Sequence, residues 1–537
     1  MMSQRMFLIM LLVVVVAYAS APFVGGMLRA ENDEYFTGIH SFAVGDINVY
    51  YGYLNQAHDG AFLFRDVFTT ETTDAIIVNP LWVFLGRIGG VLQLSVAWTF
   101  HILRLLSGAA LVFLLWKFAQ YFFKEYVGQR IATLLLVFGA GVGAFAILFA
   151  PSAFIDPYTR PMDLWVSEAF TFFSILHSPH FIIGTGLLVG ALWLMIRACE
   201  RGFWRDSIFS GVILFFLFAF HPFHVPTLGL ILIVTLAGEF FLRRLSIRRL
   251  FLLALPLIIA APAAAYHIIA TLTDTFSQLR ADQNINLIPP VIPTLLSYGL
   301  LLPLAVIGAA YWLRRSFRYR FIVWWAAGHM AVLFAPLFFN RRLSQGLVIP
   351  LAMLATAGII VLVDWWKKRN PNRSPRTLFI SWGVAGLILF CLSPLYVLGQ
   401  DLSLIIGRTN YEQIFYRPIT ERDAYEAFRD MSEPTDRFLS GTLTGNFVAA
   451  QTGRHAFIGH TVETLSFDTK VVRVKRFFDE DTPEIRAAFL AQEDIQWIIL
   501  RVEEFSYAHI PETTPGVTEV FANAAARIYS VDAAGGI

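Results

Sequence analysis

The sequence predicts an α-helical polytopic membrane protein of about eleven spans, with a small α/β domain at its C-terminal end. Three observations carry this reading. The chain has 537 residues, 56% hydrophobic and only 15% charged, where a soluble globular chain carries about 25% charged residues. Its mean hydropathy is +0.60, and no soluble protein of this size could cover so much apolar surface. Finally, the basic residues are distributed unevenly between alternate loops, although the total net charge is only +2.

A bilayer-spanning helix needs about 20 mostly apolar residues. Stretches near that length lie at about 7–28, 95–118, 131–150, 181–196, 207–220, 225–242, 250–272, 293–313, 321–339, 345–363 and 378–399. The first contains Ala17-Tyr18-Ala19, which resembles a signal-peptide cleavage site. Its apolar run continues to Leu28, which favours an uncleaved helix. With the N-terminus and its Arg5 inside, cytoplasmic loops carry Lys124/Arg130, Arg197/Arg201/Arg205, Arg243/Arg244/Arg248/Arg249, Arg314/Arg315/Arg318/Arg320 and Lys367/Lys368/Arg369/Arg373/Arg376. This is the asymmetry of the positive-inside rule. An odd number of crossings then places the tail outside.

The expected division is therefore a transmembrane domain over 1–400, with a first outer loop at 31–80, and an extracytoplasmic domain over 401–537. The tail is charged and mixed, with a β-like run Trp497-Ile498-Ile499-Leu500 and a helical stretch at 484–492. The expected location is the inner (plasma) membrane, multi-pass, with a cytoplasmic N-terminus. Two cysteines, Cys199 and Cys391, exclude a disulfide framework and a Cys-based metal cluster. No nucleic-acid partner is expected.

In such a protein the informative residues are polar ones where hydrocarbon would exclude them. They gather on the outer face. The first outer loop carries Asn32-Asp33-Glu34-Tyr35, then Gly45-Asp46 followed by Tyr50, and later Asp59 and Asp74. The next contains Glu168 and His177-Ser178-Pro179-His180. A break between two apolar runs reads His221-Pro222-Phe223-His224, and a later loop reads Asn340-Arg341-Arg342-Leu343-Ser344-Gln345-Gly346. Loop carboxylates such as Asp59 and Asp74 are commonly just solvated, and an arginine pair at a helix end commonly snorkels to the interface. Against that, Arg341-Arg342 stand on the side where basic residues are sparse, which suits anion binding. A divalent metal (Mg, Mn or Zn) is conceivable, but neither H-x-x-H pair has i,i+4 spacing and no cysteine assists. No metal ligand is assigned.

A long acidic outer loop together with two arginines suits one chemistry. A carboxylate deprotonates an acceptor hydroxyl or amine, while arginines hold a leaving lipid phosphate.

These features resemble the GT-C superfamily, glycosyltransferases that use polyprenyl-phosphate sugars, including protein O-mannosyltransferases and aminoarabinose transferases. A bacterial branch is similar in Gly45-Asp46…Tyr50, Glu168…Ser178-Pro179-His180, His221-Pro222-Phe223 and Arg341-Arg342…Gln345-Gly346. In the tail, Gly459-His460, Glu463-Thr464 and Phe477-Phe478 look like part of the same pattern. The resemblance implies a catalytic acid in the first outer loop. Asp46 is preferred, with the adjacent pair Asp33-Glu34 behind it. It also implies an inverting transfer from a polyprenyl-phosphate sugar to an extracytoplasmic glycan, lipid or protein. Glu168, His177, His180, His221, His224, Asn340, Arg341, Arg342 and Gln345 are the expected substrate-binding set. The competing expectations are a transporter or flippase of a lipid-linked sugar, with polar residues at mid-membrane and half-helices, and a non-catalytic envelope-assembly protein.

Overall fold

Each apolar stretch is helical over most of its length in the computed structural model, which describes residues 3–532 apart from 72–76, 155, 157–158, 371–374 and 409–411. Asp74 lies outside the described residues. Seven helices among those described are long and apolar enough to cross a membrane, namely Gln4–Arg29, Val96–Phe122, Pro179–Arg201, His224–Phe241, Ile247–Thr273, Asn340–Arg369 and Leu389–Ile406. An eighth candidate is the pair Tyr126–Phe138 and Gly143–Phe149, bent by 58°. The other expected spans form shorter helices. Trp204–Phe220 and Phe317–Leu333 have 17 residues each, and the 293–313 stretch is split into Val291–Leu296 and Leu301–Trp312.

The bent pair and the split stretch share a physical cause. Val142 donates its backbone N–H to Leu296 O at 2.9 Å. A Cβ at Gly141 would fall 2.2 Å from that same carbonyl oxygen. Two backbones touch here, and only glycine permits it. Leu301–Trp312 crosses Val348–Arg369 in the same manner. A Cβ at Gly308 would meet Leu354 O at 1.9 Å, and one at Gly358 would meet Leu304 O at 2.1 Å. Small residues at a crossing let apolar helices approach closely, which is how membrane helices gain packing without a hydrophobic driving force.

Two compact units result, and neither is one run of sequence. One contains Met1–Pro22, Ile102–Ala270 and Ile285–Ser403. It is helical and holds most of the membrane-spanning length. The other contains Phe23–His101, Thr271–Asn284 and Leu404–Ile537. The expected division at residue 400 concerns sides of a membrane, whereas compactness groups the tail with the first outer loop.

In this second unit the tail forms the expected α/β domain. Its strands are β3 (Arg437–Leu439), β4 (His455–Ala456), β5 (Trp497–Arg501), β6 (Val517–Ala522) and β7 (Ala526–Val531), in the order β4-β3-β5-β7-β6. β3 runs parallel to β4 and β5, and β7 runs antiparallel to β5 and β6. Phe457, Phe477, Leu490, Ile498, Leu500 and Tyr529 form its buried core. A separate ribbon pairs β1 (Glu34–Phe36) antiparallel with β2 (Tyr416–Pro418). The first outer loop contains the helix Val44–His58, tied to the tail helix Thr442–Thr452 by Asn48 Nδ2 to Asn446 Oδ1 (2.7 Å) and Asn55 Nδ2 to Ala450 O (2.6 Å).

Candidate functional site

In the second unit the site begins with a strained turn. Ala43 sits in the left-handed region (φ 49°) ahead of the helix Val44–His58, a conformation that a Cβ-bearing residue adopts only when its surroundings hold it there. Asp46 lies in the first turn of that helix, where the helix dipole favours a carboxylate. Its Oδ1 is 3.1 Å from His460 Nε2. His460 Nδ1 accepts the backbone N–H groups of Val462 and Glu463 at 3.2 and 3.1 Å. Its remaining proton therefore sits on Nε2 and is donated to Asp46. A Cβ at Gly45 would fall 2.8 Å from the imidazole Cδ2, so glycine there gives the ring its room. The Asp46 side chain is 42% exposed, while that of His460 is 7% exposed. The dyad thus presents a carboxylate to solvent on a buried support.

Behind it lies a second acidic pair. Glu463 is ion-paired with Arg280, whose Nη2 donates to Tyr53 Oη at 3.1 Å. Asp66 is buried. Burial, and next to it the charge of Glu463, raise its carboxyl well above the usual range. Burial alone would raise Glu463 as well, but the Arg280 guanidinium outweighs it and holds Glu463 below its ordinary value.

The other first-loop candidates are engaged elsewhere. Glu34 lies in β1, and its carboxylate is ion-paired with Arg408. Asp33 is exposed, and its backbone carbonyl accepts the N–H of Ile419 at 2.8 Å.

In the first unit the remaining candidates form a connected set. Glu168 is buried, with Oε1 3.6 Å from Arg341 Nε. Arg341 also donates to Asn286 Oδ1, and its guanidinium lies 5.0 Å from the Trp165 ring centre. Arg342 stacks over Phe223 at 5.2 Å, and the Phe223 and His221 rings are 6.2 Å apart. His180 and His221 lie 5.5 Å apart and His221 and His224 5.4 Å, centre to centre. His177 stacks on Phe181 at 5.7 Å. Gln345 Nε2 donates to Phe181 O (3.0 Å) and Thr185 Oγ1 (3.3 Å), and Asn340 Oδ1 accepts the N–H of Ile288 (2.8 Å). Among the described residues no group of three or more His, Cys, Asp or Glu side chains is placed to hold a metal ion.

Sequence reasoning passed over several members. His329 donates Nε2–H to Leu343 O (2.7 Å) and accepts from Trp325 Nε1 (3.2 Å), pinning the loop that bears the arginines. Its signal in the sequence is only one histidine in an apolar run. Asp66, Arg280 and Tyr53 gave no local signal. His460 and Glu463 stood in the resembling tail stretch without an assigned role.

No protein-family model and no curated protein matches the sequence. Solved structures do. The chain is similar to an Archaeoglobus fulgidus oligosaccharyltransferase tethered to an acceptor peptide, with TM-score 0.54 and 13% identity over 95% of this chain and 71% of that one. An oligosaccharyltransferase AglB of the same organism, in complex with an inhibitory peptide and a dolichol-phosphate, gives the same TM-score, identity and coverage. A mutant form of the mycobacterial arabinofuranosyltransferase AftD gives TM-score 0.50 and 14% identity over 99% of this chain and 41% of that one. The chain has the GT-C fold. At such low identity the likeness establishes the GT-C architecture, and activity has to be argued from side chains.

Proposed function

We propose that the chain is an integral membrane glycosyltransferase that moves a sugar from a polyprenyl-phosphate donor to an extracytoplasmic acceptor with inversion. The observation that carries this reading is the Asp46–His460 pair, a solvent-reaching carboxylate whose orientation is held by a buried imidazole of fixed tautomer. Asp46 takes the proton from an acceptor hydroxyl or amine. The nucleophile forms a bond to the anomeric carbon as the bond from that carbon to the phosphate oxygen breaks. The electron pair leaves on the polyprenyl phosphate, and Arg341 and Arg342 are assigned to that anion. The dolichol-phosphate and the acceptor peptide in the similar structures support these two partner classes. The plasma membrane of a bacterium, with the N-terminus cytoplasmic and the tail outside, is the setting we assign.

The bent span and the split stretch Val291–Leu296 and Leu301–Trp312 are the features a flippase reading would use. Asp46→Asn separates the two readings. In the purified protein with a polyprenyl-phosphate sugar and acceptor, it should lower release of polyprenyl phosphate by about 10²- to 10⁴-fold, the usual contribution of a general base. Full release by a folded Asp46→Asn protein would sink the transferase assignment of this residue.

A further inference from the structure

Within the first unit, at the helix ends that carry the Arg314–Arg320 basic stretch, lies a cavity of about 370 Å³ that the transferase chemistry does not use. We propose that it binds the headgroup of an anionic phospholipid. This proposal is independent of the transferase reading.

Three cations line the cavity, Lys124, Arg315 and Arg318, against one acid, Glu125. Lys124 has no ion-pair or hydrogen-bond partner for its ammonium among the described residues. The two arginines are held by their planes. Arg315 lies 4.4 Å over the Tyr311 ring and Arg318 4.7 Å over the Tyr319 ring. Arg318 Nη2 donates to Tyr319 Oη at 3.0 Å, and its Nε is 3.8 Å from Glu200 Oε1. Stacking occupies the face of a guanidinium and keeps its N–H edges in a fixed fork, the geometry that suits a phosphate oxygen pair. The rings are themselves locked. Tyr319 donates to Phe122 O (3.2 Å), and its ring lies 5.1 Å from that of Trp312. The site is therefore largely built before any ligand arrives.

A phosphate could come from a lipid or from solution. The rest of the wall favours a lipid. Gly128, Ala357 and Ile360 give it an apolar side, Tyr311 in its wall is exposed, and Tyr126 and Val127, between the lining residues Glu125 and Gly128 in sequence, are exposed as well. A headgroup among the cations would lay its acyl chains on that surface. Basic pockets between helices on the side rich in Lys and Arg are suited to such headgroups.

The test uses the full-length protein in a zwitterionic detergent, titrated with dioleoyl phosphatidylglycerol and read by native mass spectrometry. Phosphatidylglycerol should be retained at one site, phosphatidylcholine should not, and the double variant Lys124→Gln/Arg315→Gln should weaken retention about tenfold with an unchanged unfolding midpoint. Both residues are exposed, so the variant avoids the Glu200 contact of Arg318, whose loss could impair folding. Glu125→Gln should act in the opposite direction and tighten retention. Equal retention of phosphatidylcholine, or no effect of the double variant, would overturn the proposal. Inorganic phosphate that protects as well as the lipid would overturn the lipid source by showing that the chains add nothing.

Discussion

Because Nδ1 of His460 is occupied by two backbone N–H groups, this side chain can support Asp46 only as a donor from Nε2. That makes His460 a positioning residue whose role can be separated from Asp46's own. His460→Ala removes the donor and lets the carboxylate turn, and misplacement of a reacting group by about 1 Å costs as much as about 10²-fold. The expected result is a fall in kcat of that order with donor KM nearly unchanged. His460→Gln, which offers an amide donor near the same place, should recover much of the rate. If His460 served packing alone, Ala and Gln would fall together and donor KM would not separate from kcat. In the sequence, Asp46 stood out as a candidate through the resemblance carried by its Gly-Asp…Tyr context. His460 was visible only as part of a resembling stretch, because 414 residues separate it from its partner and no local pattern reports a contact of that range.

Helices were the easiest elements to read, since a run of about 20 apolar residues matches the length a helix needs to cross the hydrocarbon layer. What the pattern could not show was where a helix breaks against a neighbouring backbone, as at Gly141 beside Leu296. The broken span also creates a titrating element. Gly143 N–H and Ser393 Oγ both donate to Asp163 Oδ2, at 3.1 and 2.7 Å. A Cβ at Gly143 would fall 2.1 Å from Asp163 Oδ1, so the glycine makes room for the carboxyl. Burial pushes the Asp163 carboxyl up to about 7 although both donors pull it down. A folded value above the unfolded one of 3.8 means that the folded state binds the proton more tightly. The resulting stabilisation is fully present below about pH 4 and is lost as pH rises through about 7. Its upper size is a few kcal/mol, at about 1.4 kcal/mol per pKa unit. The unfolding midpoint of the wild type should therefore fall between about pH 4 and about 7 and level off above, and Asp163→Asn should flatten that fall. Equal slopes for both proteins would show that Asp163 does not titrate in this window.

At the scale of the whole chain, composition and loop charge were enough to read a polytopic helical protein with an α/β tail. The grouping of residues 23–101 and 271–284 with that tail was not legible. It rests on pairings such as β1 with β2 and Arg280 with Glu463, which join segments remote in sequence. The proposed base belongs to the second unit, and the arginines proposed to hold the phosphate belong to the first. The two should then affect different kinetic constants. Removing Arg341 leaves the buried Glu168 carboxylate without its ion pair. An unpaired buried polar group costs about 1–3 kcal/mol, so Arg341→Ala should lose stability along with donor binding. Arg342 stacks on Phe223 and offers a second test. Arg342→Ala should raise donor KM about tenfold, the value of roughly one charge-assisted hydrogen bond. Arg342→Lys keeps the charge but loses the planar fork, so it should be partly active if charge dominates and as poor as Ala if geometry does. Asp46→Asn should instead lower kcat and spare donor KM. If Arg342→Ala and Arg342→Lys both turn over at the wild-type rate with wild-type donor KM, Arg342 is an interfacial anchor and plays no part in holding the donor phosphate.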